Sequence, residues 1–162
     1  MKKAILLFAF AALSLQNINA TKRIYTKTDS IRAEKIMKQA SSQPAGTNTI
    51  VYIGRQLLGV PYVAQTLEKG KTEKLVINTM QLDCTTFVEN VLAMYLCVQN
   101  KTTRFDDFCS NIQKIRYVGG KVSYPSRLHY FSTWIEDNTK KGIVQEQQAP
   151  NPPFTAKQTI MA

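Results

Sequence analysis

Apolar residues recur at helical intervals in five stretches of this chain. The first is polar and charged overall, but Ile31, Ile36 and Met37 predict a helix over residues 30–40. Gln43-Pro44-Ala45-Gly46 breaks it. Thr47 or Asn48 is placed to cap a second helix carrying Ile50, Val51, Ile53, Leu57 and Leu58, stopped by Gly59. The strongest helix signal follows residue 84. There Val88, Val91, Leu92, Tyr95 and Leu96 fall at i, i+3, i+4, i+7 and i+8, and with Phe87 just before them predict one apolar face. Thr103-Arg104-Phe105-Asp106 resembles a capping box, with Asp in place of Glu. Phe105, Phe108, Cys109, Ile112 and Ile115 give that helix its buried side. A last amphipathic stretch carries Leu128, Phe131, Trp134 and Ile135 and stops at Gly142.

The segments between are short. Pro61 restricts Val60 to the β region, so Val60-Pro61-Tyr62-Val63 is extended or turning. Residues 68–72 form a charged, Gly-containing loop. Leu75, Val76, Ile77, Met80 and Leu82 predict a short extended run into Asp83-Cys84. Gly119-Gly120 is a turn. From Gln145 the chain reads as a Pro-rich loop. No internal repeat is present, and the pattern as a whole is helix-rich with one or two short strands.

The N-terminus changes the picture of where this chain works. Lys2 and Lys3 precede an apolar run over residues 4–15, and Ile18-Asn19-Ala20 supplies a small residue for cleavage. That order predicts a secretory signal peptide over residues 1–20. A membrane-spanning helix needs about 20 apolar residues, and Gln16-Asn17 interrupts the run earlier. No Cys follows it to carry a lipid. The remaining 142 of the 162 residues suffice for one domain with a real core. Without Lys2 and Lys3 the 21 basic residues drop to 19, against 11 acidic ones, leaving +8. A basic exported chain suits an anionic polymer or membrane surface. Nucleic acid is the other usual partner of such charge, but export and the scattered placement of the basic residues argue against it.

Cysteine usage narrows the chemistry. With three cysteines, at least one thiol stays unpaired within the chain in an oxidising compartment. Cys97 and Cys109 read as buried small hydrophobes rather than a bridge. Cys84 stands apart, because it falls at the start of the strongest helix. Unpaired N–H groups and the helix dipole there favour thiolate, the nucleophilic form. Asp83 sits at the cap position, Thr85 and Thr86 put hydroxyls beside the sulfur, and Phe87 begins the buried face. The N–H of Cys84 itself is a candidate oxyanion donor.

These residues also carry a resemblance. Asp83-Cys84-Thr85-Thr86-Phe87 resembles the Asp-Cys-Ser-Gly-Phe element of NlpC-type cysteine peptidases and amidases of bacterial cell walls. Leu58-Gly59-Val60-Pro61-Tyr62 resembles that superfamily's Gly-x-Pro-Tyr element. Within it, residues 81–92 and Tyr124-Pro125-Ser126-Arg127-Leu128-His129-Tyr130 are most similar to the domain-of-unknown-function 1460 family, which is N-acetylmuramoyl-L-alanine amidase-like. Residues 134–138 and 142–144 add a weaker third element, so the likeness covers roughly residues 47–144.

The resemblance implies an α+β, papain-like fold. In it a cysteine-bearing helix packs on an antiparallel sheet that carries the histidine base. It implies a peptidoglycan or muropeptide substrate, cleaved at an amide. Cys84 would be the nucleophile, and Tyr62, Asp83, Thr85 and Arg127 would contact substrate. No cofactor is implied, and no metal-ligand spacing is present. The lone histidine, His129, is the candidate base. It falls at what reads as a helix start, not on a strand, so a backbone-bonding or substrate-contact role competes with the catalytic one. Arg127 pairs either with a peptide carboxylate or with an ordinary surface partner. Trp134 and Tyr130 read as core.

The expected organisation is therefore a signal peptide over 1–20, a helical linker over 21–46, the nucleophile-bearing half over 47–144 and a loop-like tail over 145–162. The sheet is expected to be incomplete or missing, as in a truncated member of the family. Three functions follow: an active cysteine amidase of the cell envelope, an inactive wall-binding fragment of the same family, or an unrelated basic helical protein in which Cys84 only packs.

Overall fold

The computed structural model describes residues 22–145 and 147. The expected signal peptide and nearly all of the expected tail lie outside them. Five helices make up most of the described chain: α1 (Lys27–Ser41), α2 (Thr49–Gln56), α3 (Cys84–Gln99), α4 (Phe105–Arg116) and α5 (Phe131–Lys140). Two short strands, β1 (Arg23–Ile24) and β2 (Leu75–Val76), pair in parallel, with Arg23 opposite Leu75 and Ile24 opposite Val76. The architecture is mostly helical with a small sheet, consistent with an α+β class. An antiparallel sheet is absent among the described residues.

Helix α1 starts earlier than its apolar spacing suggests. Thr26 and Asp29 form a reciprocal capping box that begins the helix at Lys27. Ser and Thr at the cap with an acidic residue three later satisfy two otherwise orphan N–H groups. The Asp29 carboxylate is buried and reaches further: its second oxygen accepts from the Thr79 N–H at 2.7 Å and the Thr79 hydroxyl at 3.0 Å. One side chain thus starts α1 and pins the segment after β2. The expected box at Thr103 does not form. Arg104 is the N-cap of α4, without a side-chain cap bond, and Thr102 instead bonds Asp107.

Helix α3 runs through the middle, packed against α1, α2 and α4. Its deepest face is Asn90, Ala93, Met94 and Cys97, at i, i+3, i+4 and i+7. The expected face is rotated from this: Val91 is buried as expected, but Phe87, Val88, Leu92, Tyr95 and Leu96 are only partly buried. Physically, a helix covered on several sides places its small residues where neighbours come closest, and its larger ones toward the margins. Phe108, Cys109, Ile112 and Ile115 of α4 meet it, with Ala33, Ile36 and Met37 of α1 and Ile53 of α2. Each large side chain buried this way contributes about 1.5–3 kcal/mol. Ile31, expected inward, is more than half exposed, because Ala33 and Ala40 take the contact face of α1.

Helix α2 is capped by Asn48, whose side chain accepts from the Val51 N–H at 3.2 Å. It ends at Gln56, so Leu58 lies beyond it and is exposed. Gly59 follows at φ 78°, a left-handed conformation that costs a residue with a Cβ. The Gly119-Gly120 turn is built the same way, at φ 58° and 67°.

Candidate active site

Cys84 is the first residue of α3 and its side chain is exposed. Asp83 is the N-cap. Its Oδ1 accepts from the Thr86 N–H at 2.8 Å, and the Thr86 hydroxyl accepts from the Asp83 N–H at 2.9 Å. Placing the box on Asp83 and Thr86 leaves the N–H groups of Cys84 and Thr85 with no hydrogen-bond partner among the described residues. Such free donors at a helix start are suited to negative charge. Asn90 reinforces the turn by donating to the Thr86 carbonyl at 2.8 Å and to the Asn78 carbonyl at 3.3 Å.

The start of α3 separates two clefts. Cys84, Phe87 and Val88 face an apolar cleft of about 380 Å³, closed by Leu57, Val60, Tyr62 and Leu82. Tyr62 is 72 % exposed, and its backbone bridges Leu82. The other cleft is polar and smaller, about 170 Å³. Thr85, Thr86 and Glu89 line it from α3, facing Arg116, Arg127 and His129. Asp83 borders both.

The structure therefore groups Asp83, Thr85, Arg127 and His129 around one cleft and Cys84 with Tyr62 around the other. Among the described residues, the one hydrogen-bonding contact of Cys84 Sγ is Thr85 Oγ1 at 4.0 Å. His129 lies in the link ahead of α5, not within a helix start. Its Nε2 is 2.8 Å from the Tyr124 carbonyl, and its ring packs on the Tyr124 ring at 4.5 Å. Tyr130 is 74 % exposed, against the expectation of core, because it caps α5 from outside; Trp134 is buried as expected.

Arg127 is buried, at 7 % exposure, rather than on the surface. Its Nη2 meets Glu68 at 2.5 Å and its Nη1 lies 3.6 Å from Glu73. The backbone of this segment is fixed to the end of α4, where the Leu128 N–H donates to the Arg116 carbonyl at 3.0 Å.

Beneath the polar cleft lies an ion pair that sequence reading missed. Arg116 donates from Nε to Glu89 at 2.8 Å, and its Nη2 is 2.7 Å from the same oxygen. Its Nη1 donates to the Val76 carbonyl at 2.6 Å. Burial works against the Arg116 charge, but the Glu89 carboxylate outweighs it and raises the guanidinium pKa above its ordinary value. The signal available in sequence was a lone Glu between Val88 and Val91 on an otherwise apolar helix.

Cys97 and Cys109 are buried free thiols, as expected. Burial pushes Cys97 up to about 11 and Cys109 up to about 12. No group of three or more metal-ligating side chains occurs among the described residues, and none of their helices is long and apolar enough to cross a membrane.

The described residues thus form a mostly helical domain with an exposed thiol on a capped helix start, between an apolar and a polar cleft. The model of the AmiA-like family, N-acetylmuramoyl-L-alanine amidase-like, matches residues 52–159, and the chain belongs to that family. No curated protein matches the chain. Among solved structures, the chain is 48 % identical to a Bacteroides fragilis protein described as a candidate xylanase, over 56 % of this chain and 39 % of that one, with a TM-score of 0.52. It is 41 % identical to an N-acetylmuramoyl-L-alanine amidase from Bacteroides uniformis, over 68 % of this chain and 41 % of that one, also with a TM-score of 0.52. A further structure of that description from the same organism gives 39 % identity over 68 % and 40 %, with a TM-score of 0.50. The chain thus spans about two-fifths of the length of these relatives.

Proposed function

We propose that this chain carries the nucleophile of an exported, cell-wall-directed cysteine amidase of the NlpC type, within the domain-of-unknown-function 1460 group, with peptidoglycan or muropeptide as substrate. The observation that carries the reading is the exposed Cys84 thiol at the capped start of α3, beside two free N–H groups, in a chain of an amidase-like family. Lys2 and Lys3 ahead of the apolar run over residues 4–15 support export, and the amidase-like unit is read over residues 47–144.

In this reading the Cys84 sulfur attacks the amide carbonyl carbon. The C–S bond forms, and the N–H groups of Cys84 and Thr85 stabilise the oxyanion. The C–N bond then breaks, the amine leaves with a proton, and water hydrolyses the thioester to restore the thiol. His129 is the candidate proton carrier. The tautomer that donates Nε2–H to the Tyr124 carbonyl leaves Nδ1 as acceptor, so that carbonyl does the orienting. Tyr62 flanks the nucleophile's cleft, and Asp83, Thr85 and Arg127 border the polar one, as positions for substrate contact.

A second reading, a wall-binding chain without turnover, is favoured by one observation: no bond joins Cys84 to His129, which line different clefts. The two are separated by incubating the full chain with purified sacculi, measuring released amines and co-sedimented protein. Amine release abolished by Cys84→Ala supports the amidase. Sedimentation without release supports the binder, and neither result removes both. In the folded chain, iodoacetamide at pH 8 should label Cys84 alone, with Cys97 and Cys109 labelled only after unfolding. Equal labelling of all three in the native protein would contradict the placement of the reactive thiol.

A further inference from the structure

The polar cleft holds a buried cation that is incompletely used. Arg127 is more than nine-tenths buried, yet its Nη1 has no hydrogen-bond partner. Its two acidic neighbours differ in kind. Glu73 is largely buried and is held in place by the Tyr117 hydroxyl, which donates to it at 2.7 Å. Glu68 meets Nη2 at 2.5 Å from an exposed turn, and more than half of its side chain is in water. The guanidinium face itself rests on the Tyr124 ring, with the carbon 5.2 Å from the centroid, so its orientation is set without Glu68.

From this we infer that Glu68 is a tethered stand-in, and that the polar cleft at Arg127 receives the carboxylate of a peptide in its place. The exchange leaves the charge of the site unchanged: one carboxylate leaves Nη2, another arrives, and Glu73 stays. Guanidinium is the side chain suited to such a ligand, because its planar fork presents donors to a carboxylate, and Nη2 is the donor that the exposed Glu68 now holds, while the sealed Nη1 stays turned toward Glu73. Glu68 regains water at little cost from its exposed turn. A cleft of about 170 Å³ admits a carboxylate with one small residue, not a sugar ring pair. The Thr85 hydroxyl and Gln65 line the same space and supply neutral hydrogen-bonding partners. The inference rests on the amidase reading only for the choice of a peptide as the source of the carboxylate.

The test is a ¹⁵N NMR titration of the full chain carrying Cys84→Ala, so that no covalent step is involved and failure of hydrolysis leaves the result intact. Three probes separate the sources: acetyl-dialanine with a free C-terminus, acetyl-glutamate amide with only a side-chain carboxylate, and acetyl-dialanine amide with none. A carboxylate probe should shift the amides of Thr85, Arg127 and Leu128 saturably, and the uncharged amide should not. Whichever carboxylate saturates identifies its source. Glu68→Gln, at an exposed position, should tighten binding about five- to tenfold by removing the competitor. Arg127→Lys, checked for folding by circular dichroism, should abolish saturation. Equal shifts with the uncharged probe, no saturation by either carboxylate, or unchanged affinity in Glu68→Gln would overturn the inference.

Discussion

Replacing Glu89 with Gln tests whether the polar base of the site holds α3 in place. The substitution keeps the size of the side chain and removes its charge. Arg116 would then remain fully buried with neutral acceptors alone, the new amide oxygen and the Val76 carbonyl at 2.6 Å, and no countercharge. Removing one partner of a buried pair costs about 3–5 kcal/mol, because the other charge is left uncompensated. For a domain of this size that corresponds to a fall of about 10–20 °C in melting temperature. Thermal melting and urea unfolding of Glu89→Leu, Arg116→Met and the double variant Glu89→Leu/Arg116→Met complete a cycle beside Glu89→Gln. The double variant removes both charges, so it should regain most of the loss. A residue of about 1–2 kcal/mol is expected from the stranded Val76 carbonyl. A loss under about 1 kcal/mol in Glu89→Gln, or a double variant as unstable as the two singles summed, would refute the claim that the pair is a desolvated unit.

Two further outcomes follow from the caps. Asp83→Ala removes the carboxylate half of the box at the start of α3, leaving the backbone bond to the Thr86 hydroxyl, and should lower stability by about 1–2 kcal/mol in urea unfolding, with a slower or less selective alkylation of Cys84. Asp29 gives a pH dependence. Burial alone would raise its pKa, but the bonds from Thr26 and Thr79 outweigh this and hold it below the ordinary value of 3.8. Its folded-state pKa is thus depressed, so its contribution is fully present above 3.8 and is lost as pH falls below it. Asp29→Asn should flatten the stability profile below about pH 4 in acid titration followed by circular dichroism, and an unchanged slope would contradict the assignment.

Much of the helical layout was legible because it is local. Asn48, Asp83 and the glycines at 59 and 119–120 mark helix ends and turns through bonds or dihedrals within a few residues. What failed depends on distant partners. The rotation of α3 is set by α1, α2 and α4 together, and no single-helix period contains that information. The parallel pairing of β1 with β2 joins residues fifty-two apart, across two-residue strands too short to leave an alternation. Ile31 and Tyr130 have apolar identities but no element to cover them among the described residues. At the site, Cys84 and Asp83 were readable as a helix start. Its polar base was not, since Glu89, Arg116 and Glu68 become a site only when α3, α4 and the loop before β2 meet.

The way α3 is fastened bears on why the thiol can be presented at all. Exposing a reactive group at a helix tip leaves that turn without apolar cover, and terminal turns otherwise fray. Here the first two turns are held by buried polar groups: Thr86 in the box, Asn90 bonded to two carbonyls, and Glu89 bonded to α4. Their period divides the surface. Positions 84, 87 and 88 face the apolar cleft, and positions 85, 86 and 89 face the polar one. A one-residue slip of the helix start would exchange the sulfur and the hydroxyls between clefts. The Asp83 box and the Glu89 pair both oppose that slip, one from the backbone and one from the core. Stability and placement of Cys84 are therefore coupled through the same side chains, which is why Glu89→Gln should alter thiol reactivity from six residues beyond the cap without touching the sulfur.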